Sequence, residues 1–106
     1  MMLTFSVLER IHERYGGEYL LRQLAEECGE LTQAALHLIR AEKRETIVDE
    51  AKARLDLIEE LADVCLMIDC VRMIICSHDE LMEIEKVIAQ KSYRMARRLL
   101  DDDWTV

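Results

Sequence analysis

The stretch of sequence that decides the fold runs from Glu18 to Lys43 and reads EYLLRQLAEECGELTQAALHLIRAEK. Leucine, alanine, glutamate and arginine dominate it, and all four are good helix formers. At about 100° per residue, its apolar side chains gather on one side of a helix. That side carries Leu20, Leu24, Leu31, Ala35 and Leu38, flanked by Cys28 and Ile39. The pattern therefore predicts a long amphipathic helix whose apolar stripe lies in the core.

Three further helices are predicted around this one. The first covers residues 2–14 and is ended by Gly16-Gly17, and the third covers residues 46–76 with a looser first turn. The fourth follows Ser77-His78-Asp79 and ends before Asp101; we expect Ser77 or Asp79 to cap it, with Glu80 in its first turn. The third helix is expected to bury a broad apolar face, made of Leu55, Ile58, Leu61, Ala62, Cys65 and Ile68.

The composition supports an all-α fold. The 106 residues include no proline and only three glycines, although loops and edge strands normally use both. Length allows a single domain over residues 1–106 with a small core. We therefore predict a four-helix bundle that is completed by dimerisation, since a second copy would enlarge that core.

The net charge of −8 argues against nucleic acid as a partner, because phosphate binding relies on basic surface. A membrane span is not expected either, since Asp69 and Arg72 interrupt the longest apolar run, residues 64–75. The four cysteines lack the spacing of zinc ligands and three lie in apolar sequence. Free core thiols and a cytoplasmic location are predicted from this pattern.

Two groups of acids stand out on the second and third helices. Glu26, Glu27 and Glu30 share one arc of the second helix, and Asp56, Glu59, Glu60 and Asp63 share one arc of the third. Like charges at these spacings repel, so solvent, basic partners or a divalent cation must offset them. The acids border the apolar stripe, and oxygen ligands suit Mg²⁺ or Mn²⁺. Both a metal site and a solvated acidic face remain open.

Gly29 lies beside these acids inside the predicted helix. It is expected either to allow the close approach of a helix or a ligand or to reflect ordinary tight packing.

The fourth helix is basic. Residues 86–98 contain five basic side chains and no acid, and Lys91, Arg94 and Arg98 share one of its faces. Arginine and lysine are the usual partners of phosphate. These residues therefore either bind phosphate or pair with the acidic helices of the same chain.

The order of these motifs resembles the MazG-like, all-α nucleoside triphosphate pyrophosphohydrolases. The similarity lies in Glu26-Glu27-x-x-Glu30, in Glu60-x-x-Asp63 on the next helix and in Lys91-x-x-Arg94 on the last. Tyr15-Gly16, the run Leu24–Leu31 and the run Glu59–Val64 also read like this family, so the resemblance covers about residues 15–98.

The resemblance implies a function and a set of roles. Glu27, Glu30, Glu60 and Asp63 would be ligands of Mg²⁺, and Lys91 and Arg94 would hold the phosphates of the substrate. The family hydrolyses a nucleoside triphosphate to the monophosphate and pyrophosphate. Its members are usually dimers or tetramers in which two bundles share a core and often the active site.

Several residues near these motifs receive weaker assignments. Glu26 lies in the arc of Glu27 and Glu30, and we expect it to orient or activate the attacking water, with Glu59 as a second candidate; a plain solvated glutamate is the alternative for each. Tyr19 is the best placed residue to stack on a base, although packing is the alternative. His37 lies on the acid stripe, where a surface or interface role is favoured over substrate contact.

Three other functions are the alternatives to this one. A carboxylate-bridged di-iron bundle needs two Glu-x-x-His motifs, and only Glu9-x-x-His12 is present. A phosphoribosyl-ATP pyrophosphohydrolase would have similar length and acids. A non-catalytic helical interaction module would explain the helices and the charge but would leave the acid spacing accidental.

Overall fold

The computed structural model describes residues 2–101, which form four α-helices. Helix α1 comprises Phe5–Tyr15, α2 comprises Gly17–Glu42, α3 comprises Glu50–Ile74 and α4 comprises His78–Asp101. These helices account for 86% of the described residues, which include no strand, so the all-α prediction is confirmed. The chain divides into two compact units: α1, α2 and α3 belong to the first, which ends at Ile75, and α4 belongs to the second.

Side-chain caps fix where two of the helices begin. Helix α1 begins at Phe5 and not at residue 2, because the Thr4 hydroxyl accepts a hydrogen bond from the Val7 N–H at 3.3 Å. Helix α3 begins at Glu50, because Asp49 accepts from the Lys52 N–H at 2.8 Å. The predicted start at residue 46 is therefore wrong.

The loop before α3 has a conformation of its own. The N–H of Val48 donates to the Thr46 hydroxyl at 3.3 Å, and Arg44 has a positive φ of 57°. Threonine, like serine and aspartate, offers the backbone such local hydrogen bonds in place of those of a helix. The charged residues after α2 therefore form a turn instead of the first turn of α3.

Helix α4 begins with a reciprocal capping box between Ser77 and Glu80, which decides between the two predicted caps, Ser77 and Asp79. The Glu80 N–H donates to Ser77 Oγ at 3.1 Å, and the Ser77 N–H donates to Glu80 Oε1 at 2.8 Å. The hydrogen bond from the Ser77 N–H lowers the pKa of the Glu80 carboxyl. Ser77 is therefore the cap of this helix.

The two adjacent glycines make the corner between α1 and α2. Gly16 has a φ of 81°, which side chains disfavour. A Cβ atom at Gly17 would lie 3.1 Å from Ile75 Cδ1, so its absence allows the end of α3 to approach the corner closely.

The core of the first unit lies in two clusters between its helices. One joins Leu8 of α1, Leu20 of α2 and Cys70 of α3, each only 2% exposed. The other joins Leu38 and Ala41 of α2 to Ala53 of α3, with Leu57 packed against them. Since the C-terminal half of α2 meets the N-terminal half of α3, the two helices run antiparallel.

The predicted apolar faces are only partly those that the fold buries. On α2, Leu20 and Leu38 are buried, but Ala34 takes the place predicted for Ala35, which is exposed, as is the flanking Ile39. On α3 the predicted face is wrong: all six of its residues are exposed, including Leu55 and Ile58 at 60%. Helix α3 instead buries Ala53, Val64 and Cys70, because it is apolar on two sides and α2 packs on the other one.

The cysteines are free thiols, as predicted, but they are not all core residues. Cys70 is buried, Cys76 is half-buried, and Cys28 and Cys65 are exposed. Desolvation, followed by the charge of Asp69, raises the pKa of the Cys70 thiol. Among residues 2–101, none of the helices combines the length and the apolar character that a membrane span requires.

Candidate metal centre

Four acids from two helices converge on one point of the first unit. Glu27 and Glu30 of α2 and Glu60 and Asp63 of α3 each offer a carboxylate oxygen, and these four oxygens lie within 4.8 Å of one another. Spacings of three residues place both acids of each pair one turn apart on the same helical face. The structure therefore brings together the two acid pairs that the sequence predicted.

The packing of α2 against α3 sets the register of this cluster. With Leu38 and Ala41 opposite Ala53, the antiparallel arrangement carries Glu27 and Glu30 to the level of Glu60 and Asp63. Both helices are continuous through the cluster, so its ligand atoms stand on regular backbone. Sites on regular elements hold their side chains more precisely than sites on loops do.

Two of the four acids are partly buried, and each has one carboxylate oxygen without a hydrogen-bond partner. Oε2 of Glu27 and Oε2 of Glu60 are inaccessible to solvent and accept no hydrogen bond. A buried oxygen without a partner is costly, and an anionic one more so. Glu30 and Asp63 are exposed, so the cluster has a dry side and an open side.

The electrostatics of the cluster are those of crowded negative charge. Desolvation is the largest cause that raises the pKa of Glu27, followed by the charges of Glu30 and Asp63. Desolvation likewise raises the pKa of Glu60, followed by the charge of Glu30. Both glutamates therefore resist ionisation more than free ones, and a cation placed among them would be favoured.

No ion pair described within the first unit neutralises the cluster. Ion pairs of that unit join Arg22 to Glu18, Lys52 to Asp56 and Arg54 to Glu50. None of the four converging acids takes part in them. Within the first unit, the repulsion of these acids is therefore not offset by an ion pair with a base.

The other predicted residues lie beside the cluster or away from it. Glu26 and Glu59 are exposed neighbours outside the group of four. Tyr19 lies two helical turns before Glu27, and its ring stacks on that of Tyr15 with the centroids 4.8 Å apart. The roles assigned to these three residues stay predictions.

The basic residues of the fourth helix lie in the second unit. Lys91, Arg94 and Arg98 are exposed on α4, and a phosphate-binding role for them stays a prediction. Trp104, a further candidate for base stacking, lies outside the described residues.

Gly29 differs from the expectation. A Cβ atom built on it would meet nothing within 4 Å. No helix among residues 2–101 therefore packs closely there, and ordinary tight packing does not explain the glycine either. An approach by a ligand remains a prediction.

A groove of about 400 Å³ adjoins the acidic cluster, with Glu30 and Glu60 in its wall. Gln33, His37 and Arg40 also line it. No role was predicted from the sequence for Gln33 or Arg40, and both are exposed residues that line this groove. The signal that would have found both is their spacing, since Gln33, His37 and Arg40 follow Glu30 by three, seven and ten residues.

Comparison with protein-family models, with curated proteins and with solved structures found no match for this chain. The resemblance to the MazG-like family therefore stays a prediction, and it rests on the motifs and on their order.

Proposed function

We propose that this protein hydrolyses a nucleoside or deoxynucleoside triphosphate to the monophosphate and pyrophosphate in a Mg²⁺-dependent reaction. The observation that carries the proposal is the convergence of two carboxylates from α2 and two from α3 on a point where two of their oxygens are buried without a partner. A merely solvated acidic face would place such oxygens in water.

The donor set fits a hard divalent cation. Glu27, Glu30, Glu60 and Asp63 offer only oxygen ligands, which Mg²⁺ and Mn²⁺ prefer over nitrogen and sulfur. The cluster contains no histidine, which a carboxylate-bridged di-iron site would need. When bound, Mg²⁺ would offset the charge of the phosphates and lower the pKa of a coordinated water.

The chain's own residues supply the remaining requirements of phosphoryl transfer, which depends on positioning and on charge more than on covalent help. Glu26 and Glu59, which precede the cluster residues Glu27 and Glu60 in sequence, are the residues we assign to orienting the attacking water and accepting its proton. Lys91, Arg94 and Arg98 carry donors suited to phosphate oxygens, and we assign them to the triphosphate.

A pyrophosphate assay tests the proposal. The purified protein is incubated with a panel of NTPs, dNTPs and phosphoribosyl-ATP in Mg²⁺ or in EDTA, and released pyrophosphate is measured. We expect Mg²⁺-dependent release that Glu30→Gln nearly abolishes. Glu42→Gln is the matched control, because it removes the same charge from an exposed residue of the same helix outside the cluster.

The outcomes separate the alternatives. Release from phosphoribosyl-ATP alone would reassign the substrate to that of the histidine-pathway type of enzyme. Failure of every substrate to yield Mg²⁺-dependent pyrophosphate would overturn the enzymatic proposal in favour of a non-catalytic helical module.

We further propose that the protein acts as a homodimer or as a tetramer built from two dimers. The observation behind this is the apolar face of α3 that α2 leaves uncovered, which includes Leu55, Ile58 and Leu61. Helices that are apolar on both sides are normally buried on both sides. A second copy of the chain would cover this face and enlarge a core that is small within one chain. Light scattering of the purified protein measures the assembly directly.

A further inference from the structure

The groove beside the acidic cluster has opposite charges along its length. Near the cluster its wall is carboxylate, from Glu30 and Glu60. Farther along α2 the wall is made by the half-buried imidazole of His37 and by the guanidinium of Arg40, and the buried methyl of Ala34 also lines it. A ligand that fits must therefore present a group suited to the acids at one end and electron-rich acceptors at the other.

The spacing of these side chains matches an extended ligand. At a rise of about 1.5 Å per residue, Gln33, His37 and Arg40 lie roughly 5, 10 and 15 Å along the helix axis from Glu30. Their turns place all three on one side of α2. A nucleoside that extends along α2 from a phosphate held at the cluster would meet these side chains.

Arg40 is available for recognition. It forms no ion pair within the described residues of the first unit, whereas the neighbouring acid of the groove, Asp56, is already paired with Lys52 at 2.5 Å. A guanidinium has five N–H donors and no acceptor, so it selects a surface that offers acceptors. Gln33 can adapt to either kind of group because its amide both donates and accepts.

We propose that this groove is the nucleobase subsite of the enzyme and that Arg40 makes it prefer bases with a keto group, an inference that rests on the proposed function. Guanine and hypoxanthine present the O6 and N7 acceptors to which arginine binds in a bidentate manner, and uracil and thymine present O4. Adenine and cytosine present an amino donor at the equivalent position, which faces the donors of Arg40 unfavourably. Substrates of the keto class are therefore favoured over their amino counterparts.

The test compares substrate pairs that differ at this position. ITP and ATP differ by oxygen against an amino group on a purine, and UTP and CTP differ in the same way on a pyrimidine. We expect kcat/KM to favour ITP over ATP by roughly 5- to 100-fold, which is the range of one good bidentate contact, and UTP over CTP by less, because O4 offers a single acceptor. Arg40→Met should bring both ratios close to one, and Arg54→Met, which removes an exposed arginine outside the groove, should preserve them.

Two results would overturn the inference while leaving the proposed function intact. One is equal kcat/KM for both members of each pair in the wild type. The other is a uniform loss on all four substrates in Arg40→Met with unchanged ratios, because Arg40 would then contact phosphate and not the base.

A binding measurement separates this inference from the proposed function. Calorimetry with the monophosphates IMP and AMP reports on the subsite without hydrolysis. Preferential binding of IMP that Arg40→Met removes would support the subsite even in a protein that releases no pyrophosphate. Equal binding of both, or binding of neither, in such a protein would overturn it.

Discussion

The effect of Asp63→Asn on the melting temperature should have opposite signs in the metal-free and the metal-loaded protein. In the wild type, we expect Mg²⁺ at about 100 times its dissociation constant to stabilise the folded state by about 2.7 kcal/mol, because the cluster forms only on folding. For a domain of this size that corresponds to a rise in melting temperature of roughly 10–20 °C.

The size of the effect follows from the cluster. Asp63 supplies one of four carboxylates, so Asp63→Asn removes a quarter of the ligand charge while the similar size of asparagine preserves the local shape. Losing a residue that only supports a ligand weakens metal binding about 10- to 100-fold, and we expect a lost ligand to reach the upper value. At the same Mg²⁺ concentration the stabilisation then falls to about 0.4 kcal/mol, or roughly 2–3 °C.

Without the metal the direction is opposite. The charge of Asp63 contributes to raising the pKa of both Glu27 and Glu60, so its removal relieves repulsion in the folded state. We therefore expect Asp63→Asn in EDTA to melt at or above the temperature of the wild type. One substitution is thus neutral or stabilising in EDTA and destabilising relative to wild type in Mg²⁺.

Thermal melts followed by circular dichroism, at constant ionic strength, measure the melting temperature in EDTA and in Mg²⁺. Asp69→Asn is the matched control, because Asp69 is an exposed aspartate of the same helix that lies outside the cluster. The rise in its melting temperature with Mg²⁺ should equal that of the wild type. A wild type that does not respond to Mg²⁺, or an Asp63→Asn variant that responds as strongly as Asp69→Asn, would refute the reasoning.

Three further predictions concern pH, the core and the assembly. Glu27 and Glu60 have raised pKa values, so the metal-free folded state takes up protons at a higher pH than the unfolded state does. Its melting temperature should therefore rise as pH falls from neutrality toward 4.5. The double variant Glu27→Gln, Glu60→Gln should lose this gain. Leu8→Ala should cost about 2–5 kcal/mol in urea unfolding, and Leu8→Met less than about 1.5 kcal/mol, because the side chain is 2% exposed. Ile58→Glu should convert the proposed dimer to a monomer in light scattering, whereas Ile47→Glu, at a fully exposed residue of the loop before α3, should remain dimeric. A monomeric wild type would contradict the proposed assembly.

The helices and the acid cluster were predictable because their signals are local. Apolar periodicity defined α2, and the reciprocal pair Ser77 and Glu80 marked the start of α4. The convergence of the acids also followed, since carboxylates three residues apart on two neighbouring helices need only one shared face. Local rules of this kind hold wherever neighbours in sequence decide the geometry.

The start of α3 and the groove at Arg40 were not predicted, because local competition for hydrogen bonds decides the first and helix packing decides the second. The start of α3 depended on whether Asp49 or Thr46 would take the local hydrogen bonds, and both residue types are suited to that. The groove at Arg40 was missed because a charged residue late in a helix is ordinarily a solvated one. The groove exists only because α3 packs against α2 at this level, and the periodicity of α2 alone does not predict that packing.

The burial pattern of α3 connects the site to the assembly. The face that α2 covers carries the acids Glu60 and Asp63 beside the buried Ala53 and Val64, whereas the opposite face, with Leu55 and Ile58, is apolar and exposed. Folding of one chain for stability alone would leave the acids in water and bury the exposed leucine and isoleucine. Natural chains depart from such local consistency mainly at functional sites. Under the proposed function, the acids that face α2 would hold the metal ion, and under the proposed assembly the exposed leucine and isoleucine would meet a second copy of the chain. Asp63→Asn and Ile58→Glu act on opposite sides of the same helix, so their separate effects on Mg²⁺ binding and on assembly would distinguish these two proposals.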